Sequence, residues 1–195
     1  MLNDKKILAI IPARAGSKRI PMKNLTLYKV GDEVDSLLGW AVKHAKASKY
    51  VDHTVISSDL AQQCLDGPYA EPEWLPRPKS LAGDRTPTEA VIIHVLYSCH
   101  GYDYAVILQP TSPLRLPQDI DRCIEIAVKQ DGVNGLTGCV SYNPYGKRNG
   151  AVYVIKVEHF LEFLSLDAAH HYEMPMERSL DIDYPWEMPP IGSDK

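Results

Sequence analysis

Apolar residues along this chain fall into short unbroken runs, separated by stretches whose apolar positions recur at helical spacing. Residues 5–12 contain Ile7-Leu8-Ala9-Ile10-Ile11-Pro12, a continuous run closed by a turn signal, which predicts a strand buried on both faces. Residues 36–48 place Leu37, Leu38, Ala41 and Ala45 on one helical face. A β-branched strand is predicted at 53–57, ending in the polar turn Ser57-Ser58-Asp59, with a short helix over 60–65. Residues 67–85 hold Pro68, Pro72, Pro76 and Pro78 and read as a long loop with room for one short strand.

Thr86-Pro87-Thr88-Glu89 has the form of a capping box with proline at the first helical position. Ile92, Val95, Leu96 and Cys99 follow at helical spacing, which makes Thr86 the expected cap. Residues 104–108 form a third buried strand that exits into Gln109-Pro110-Thr111-Ser112-Pro113-Leu114-Arg115, and 117–129 form an amphipathic helix. Two further strands, 136–142 and 151–155, flank a turn-prone segment and are candidates to pair directly, and 157–164 is a short helix. The unit is expected to span 1–183, with 184–195 a loose proline-rich tail. Strands alternating with helices imply an α/β fold, a doubly wound, mainly parallel sheet with helices on both faces. Ligands on such sheets bind beyond the carboxyl ends of the strands, where all three polar exit loops converge.

Composition narrows the function. A chain of 195 residues, 45% hydrophobic and 24% charged, fits one globular domain. A formal net charge of −4 carries no general footprint for nucleic acid or membrane, so neither partner is expected. The first apolar run is too short for a signal segment or a membrane span, and a cytoplasmic protein is expected. Cys64, Cys99, Cys123 and Cys139 are scattered and read as buried free thiols, and His170-His171 as a surface pair.

Against this acidic background, the loop after the first strand concentrates Arg14, Lys18, Arg19 and Lys23 around a Gly16-Ser17 step. Successive main-chain N–H groups with nearby cations make a phosphate cradle, so a polyphosphate is the expected ligand. Near the other end, Leu180-Asp181-Ile182-Asp183 has strand alternation, with Leu180 and Ile182 inward and both carboxylates on the opposite face. Paired carboxylates beside a phosphate site suit magnesium, which takes oxygen ligands and keeps several waters.

Four segments, IIPARAGSKRIPMKNL, LQPTSPLR, RNGAVYV and SLDID, occur in this order and together resemble the cytidylyltransferases that activate sialic acids and related nonulosonic acids. The resemblance covers about residues 5–183. It implies a Rossmann-like fold and transfer of CMP from CTP to an acidic sugar, with magnesium and release of pyrophosphate. Matched residue by residue, it assigns Arg14, Lys18 and Lys23 to the CTP phosphates. Ala13, Ala15, Gly16, Ser17 and Asn24, with Arg77 and Thr88, fall to the nucleotide. It also implies Gln109 at the sugar and Asp183 with Asp181 as metal ligands. Arg115 is either a partner of the sugar carboxylate or a surface arginine, and Arg19 either a phosphate ligand or a solvated cation.

Two departures from the family pattern bear on partners. Between Tyr142 and Arg148, where these enzymes carry a long excursion to a second subunit, this chain has only Asn143-Pro144-Tyr145-Gly146-Lys147, so an arm-exchanged dimer is not expected. After Asp183, Tyr184-Pro185-Trp186-Glu187-Met188-Pro189-Pro190 cannot continue as the family's helix. The alternative reading is therefore a nucleotide-binding remnant of the family that has lost or changed its sugar acceptor. A P-loop NTPase is disfavoured, because Lys18 is followed by Arg19 where Ser or Thr is required.

Overall fold

The computed structural model describes residues 2–60, 72–132 and 137–188. Most of the helix expected over 60–65, Cys64, residue 136 and residues 189–195 lie outside them. In chain order the elements are β1 (Ile7–Pro12), β2 (Leu27–Val30), β3 (Glu33–Ser36), α1 (Leu37–Ala47), β4 (His53–Ser58), β5 (Glu73–Pro76), α2 (Thr88–Ser98), β6 (Tyr104–Ile107), α3 (Pro117–Lys129), β7 (Cys139–Tyr142), β8 (Arg148–Lys156), α4 (Val157–Phe163) and β9 (His170–Glu173). Seven of the strands form one sheet in the order β5-β4-β1-β6-β8-β7-β9, and β2 and β3 form a separate hairpin.

β1 is the hub, paired in parallel with β4 on one side and β6 on the other. Its alternate residues feed two cores. Ile7, Ala9 and Ile11 pack with Leu38, Ala41 and Ala45 of α1 and with Ile120, Cys123 and Ile124 of α3. Leu8 and Ile10 pack with Ile92 and Val95 of α2 and Phe160 of α4 on the opposite face. All five strand residues are fully buried, and burying each large aliphatic contributes roughly 2 kcal/mol. Helices on both faces of a mainly parallel sheet are thus the observed architecture. α1 starts at a true cap, with Ser36 Oγ accepting from the Gly39 N–H at 2.9 Å. Gly39 leaves room for the Asp35 carboxylate, which a Cβ at 2.0 Å would force to move.

Several elements depart from the sequence reading. β7 and β8 pair directly, as expected, in an antiparallel hairpin across the 143–147 turn, but β8 is also antiparallel to β6. In that turn the Asn143 N–H donates to the Lys147 carbonyl at 2.8 Å. The hairpin β2–β3 and the edge strand β9 were not foreseen, and β9 carries His170 and His171. Thr86 does not cap α2. Its N–H closes a turn onto the Gly83 carbonyl at 3.1 Å, Pro87 takes the cap position and no side chain caps the helix. Residues 180–183 belong to no strand, although Leu180 and Ile182 pack inward as their alternation implied. Of the cysteines, Cys123 and Cys139 are buried, Cys99 is half-buried and all three are free. No helix among the described residues is long and apolar enough to cross a membrane.

The neighbouring parallel strands β4, β1 and β6 all point the same way, so the polar loops that follow them emerge together at one edge of the sheet, beyond the strand carboxyl ends. That edge is where a ligand fits.

Candidate active site

A cleft of about 470 Å³ opens at this edge. Arg14, Gly16, Ser17, Lys18, Lys23 and Asn24 line it from the loop after β1, with Arg77 after β5, Thr88 at the head of α2, Gln109 after β6, and Asp183. Groups scattered across the whole chain therefore converge on one cavity.

The loop after β1 is held by residues at its two ends. The Ala13 N–H donates to the Ser57 carbonyl at 2.9 Å, and the Ala15 N–H to the Asp59 carboxylate at 2.7 Å. Both N–H groups are thereby spent on the fold, so what Ala13 and Ala15 hold with them is the frame of the loop and not a phosphate. The Asn24 amide donates to the Arg14 carbonyl at 2.9 Å and ties the far end of the loop to the near end. Ile20 packs with Tyr28, Leu37, Trp40 and Ile182 in a small third core. Gly16 sits outside the left-handed region, and a Cβ added to it would meet nothing within 4 Å. Its contribution is open space above the cleft rather than a turn that only glycine can make.

The cations of the loop are paired. Arg14 and Lys18 reach the two oxygens of Asp84 at 2.6 and 2.7 Å. The bonds from Lys18 and Arg14 hold the Asp84 carboxyl below its usual range. Asp84 thus neutralises both cations at the mouth of the cleft. Lys23, only 15% exposed, lies 3.2 Å from Asp183, and Arg19 lies 3.5 Å from the other oxygen of that carboxylate. Arg77 is buried, donating to the Ser57 carbonyl at 2.6 Å and to its hydroxyl at 3.2 Å, and burial lowers its guanidinium to about 10.

Gln109 and Asp181 meet around Gly150. This glycine has φ +75°, and a Cβ there would lie 3.2 Å from the Asp181 carboxylate and 3.4 Å from Gln109 Oε1. A bulge in the β7–β8 ladder at Ser141 brings it there, with the Ser141 hydroxyl donating to the Asn149 side chain at 2.6 Å. Asp181 lies behind Asp183, outside the residues that line the cleft. Burial pushes its carboxyl up, with a smaller contribution from the Asp183 charge, while the Thr111 hydroxyl and Lys23 oppose the shift.

Arg115 is corrected outright. It is 0% exposed, and its guanidinium donates to the main-chain carbonyls of Ala151 at 2.6 Å and Gln109 at 3.2 Å. Burial lowers it to about 10. Neither a sugar carboxylate nor bulk solvent reaches it. The residue is a strut joining the loop after β6 to the bulge of β8.

Three residues of the site escaped the sequence reading. Asp59 and Gly150 lay within segments already marked, the polar turn after β4 and the RNG run, and a search for loop-framing acids and bulge glycines would have found them. Asp84 stands in the Gly83-Asp84-Arg85-Thr86-Pro87-Thr88 run, which resembles the family's nucleotide-contacting stretch, but its pairing with Arg14 and Lys18, far away in the chain, left no trace in the sequence. Among the described residues, no three His, Cys, Asp or Glu side chains cluster as a metal cage.

Residues 8–155 match the family described as Cytidylyltransferase. The chain is 28% identical to CMP-N,N'-diacetyllegionaminic acid synthase of Legionella pneumophila, across 92% of each. It is also 28% identical to the N-acylneuraminate cytidylyltransferase of Escherichia coli, across 91% of this chain but only 49% of that protein. Over 59% of its length it is 36% identical to the pseudaminic acid cytidylyltransferase of Campylobacter jejuni, half of which it covers. Among solved structures, CMP:2-keto-3-deoxy-manno-octonic acid synthetase complexed with CTP matches with a TM-score of 0.69 at 14% identity, over 93% of this chain and 94% of that one. Rv0371c of Mycobacterium tuberculosis in complex with manganese matches with a TM-score of 0.63 at 13% identity, over 93% and 95%. Those two likenesses speak to the Rossmann-like fold.

Proposed function

The chain belongs to the cytidylyltransferase family, and we propose that it transfers CMP from CTP to an acidic nonulosonic sugar of the sialic acid class, releasing pyrophosphate. The observation that carries this reading is the gathering of Arg14, Lys18, Lys23, Arg77 and Asp183 around one cleft at the strand carboxyl ends. In the reaction an oxygen of the sugar attacks the α-phosphorus, the bond from that phosphorus to the bridging oxygen breaks, and pyrophosphate leaves with both electrons. The hydroxyl proton passes to solvent or a base. Such a displacement asks the protein to align oxygens and neutralise charge rather than to form covalent intermediates.

Arg14 and Lys18 exchange Asp84 for the β- and γ-phosphates, while the N–H groups of Gly16 and Ser17 approach them from the open side of the loop. Lys23, held by the Ile182 carbonyl at 2.7 Å, meets the charge that develops as pyrophosphate departs. Arg77, Thr88 and Asn24 face the nucleoside, and Gln109 the sugar. The nucleotidyltransferase unit extends at least from β1 to Asp183.

Magnesium fits the residues present. Asp183 presents a hard oxygen donor in the cleft, and Asp181 stands behind it with a carboxyl whose ionised form burial disfavours until a cation arrives. Two carboxylates, with water and phosphate oxygens in the remaining positions, are the usual magnesium set. Bound there, the cation supplies charge to the phosphates.

Pyrophosphate release from CTP with a panel of nonulosonic acids, in magnesium, tests the reading. Release with CTP and at least one member of the panel is expected. CTP binding without release on any acid would favour the remnant reading, which the short 143–147 turn motivates. Equal affinity for CTP, UTP, ATP and GTP would remove the base preference and leave a general phosphate site.

A further inference from the structure

Tyr184 to Glu187, the segment that sequence reading left as the start of a loose tail, closes on the site. Pro185–Glu187 form a single 3-10 turn, and one oxygen of the Glu187 carboxylate accepts from the N–H of Asp183 at 2.6 Å and from that of Tyr184 at 2.7 Å. On its other side Asp183 follows Ile182, which is fully buried, donates its N–H to the Thr111 carbonyl at 2.8 Å and accepts from Lys23 at 2.7 Å. The main chain at Asp183 is therefore clamped from both directions. The outer side is further weighted by Tyr184, whose ring stacks on Trp186 at 4.5 Å and carries the Arg19 guanidinium at 4.6 Å.

We infer that Glu187 is a positioning residue for the Asp183 carboxylate, holding it at the orientation in which it ligates the catalytic divalent cation. The inference rests on the reading of Asp183 as a metal ligand. A carboxylate that takes two main-chain N–H groups makes charge-assisted bonds, stronger than water offers the same groups. Without it the two donors turn to solvent, the turn loosens, and Asp183 loses one of its two anchors. Groups that orient a metal ligand commonly cost 10- to 100-fold in metal affinity when removed.

The test titrates manganese by electron paramagnetic resonance into the protein saturated with CTP, for the parent, Glu187→Ala, Glu187→Gln and Asp183→Asn. CTP affinity is measured separately in chelator. Glu187→Ala is expected to weaken manganese binding by about tenfold at unchanged CTP affinity in chelator, since it removes an orienting group and no ligand. Glu187→Gln keeps an acceptor oxygen and is expected to recover most of that loss. If Asp183→Asn weakens the metal but Glu187→Ala does not, the inference about Glu187 fails while the metal site stands. If Asp183→Asn leaves manganese unaffected, the metal reading itself fails. A Glu187→Ala protein that loses CTP affinity in chelator as well would reassign the residue to general integrity of the fold and overturn its positioning role.

Discussion

Lys23 and Asp183 stand 160 residues apart in the chain, yet the Lys23 ammonium lies 3.2 Å from the Asp183 carboxylate and donates to the neighbouring carbonyl of Ile182. One contact thus joins the loop after the first strand to the end of the described chain, and it puts the proposed phosphate ligand beside the proposed metal ligand. The pair is half-shielded, with Lys23 mostly buried and Asp183 half exposed. On the proposed reading, a cation held by Asp183 would compete with Lys23 for the carboxylate and leave the ammonium to the phosphates.

Lys23→Ala is expected to lower turnover by roughly 10²- to 10³-fold, the usual effect of removing one preorganised donor to transition-state charge. Pyrophosphate release with CTP and the preferred acid measures it, and circular dichroism checks the fold. A folded variant with parental turnover would remove the basic loop from the chemistry.

Asp183→Asn is expected to abolish magnesium-dependent turnover, because the amide keeps the shape and loses the charge. Asp181→Asn, behind it and outside the cleft lining, is expected to cost less. Activation curves against magnesium separate the two, and an ordinary curve for Asp183→Asn would return both acids to a structural role.

Gly150→Ala combines left-handed backbone with a Cβ 3.2 Å from the Asp181 carboxylate. The backbone conformation alone costs roughly 1–2 kcal/mol in any residue with a side chain. Denaturant unfolding should register that loss. Turnover should fall further than stability explains, since Asp181 and Gln109 both have to move. Unchanged stability and turnover would mean that the bulge relaxes freely.

Acid sensitivity should trace to His44. Burial inside α1 lowers its imidazole from 6.5 to about 3, so between those values the unfolded chain binds the proton and the folded one does not. Stability is therefore full above pH 6.5 and falls as pH drops toward 3, by at most about 1.4 kcal/mol per unit. Asp181 works in the opposite sense, as its raised carboxyl favours the folded state at lower pH. Unfolding free energies measured from pH 4 to 7 should show a flatter slope in His44→Gln. The same slope in parent and variant would place the acid sensitivity elsewhere.

The 143–147 turn should carry no subunit contact. Five residues at ~3.5 Å each, going out and back, extend less than about 10 Å, whereas a standard interface takes roughly 800 Å² per partner. The Asn143 side chain also accepts from the N–H groups of Tyr145 and Lys147, both at 3.0 Å, which folds the segment onto itself. Light scattering before and after replacement by a Gly-Ser turn measures this. A stable dimer that the replacement dissociates would contradict it.

The sequence by itself determined the parts whose signal is local. β1, β4, β6, α1 and α3 follow from apolar runs and helical spacing, because burial on one or two faces imposes a period that the chain must display residue by residue. The convergence of the polar exit loops followed from the α/β alternation, and their chemistry from their charge. Only the tertiary structure decided direction and partnership. The short turn at 143–147 implied the pairing of β7 with β8, but an apolar run pairs equally well in either direction, so nothing in 148–156 announced that β8 runs antiparallel to β6. Arg115 read as a sugar ligand or a surface residue because its chemistry suits either, and its burial depends on carbonyls from β8 and the loop after β6 that only the fold brings together. That the Ala13 and Ala15 N–H groups are spent on Ser57 and Asp59 was likewise invisible, because a free N–H and a paired one are identical in sequence. Hydrogen-bond partners separated by tens of residues leave no periodic trace, and the site is built largely from such pairs.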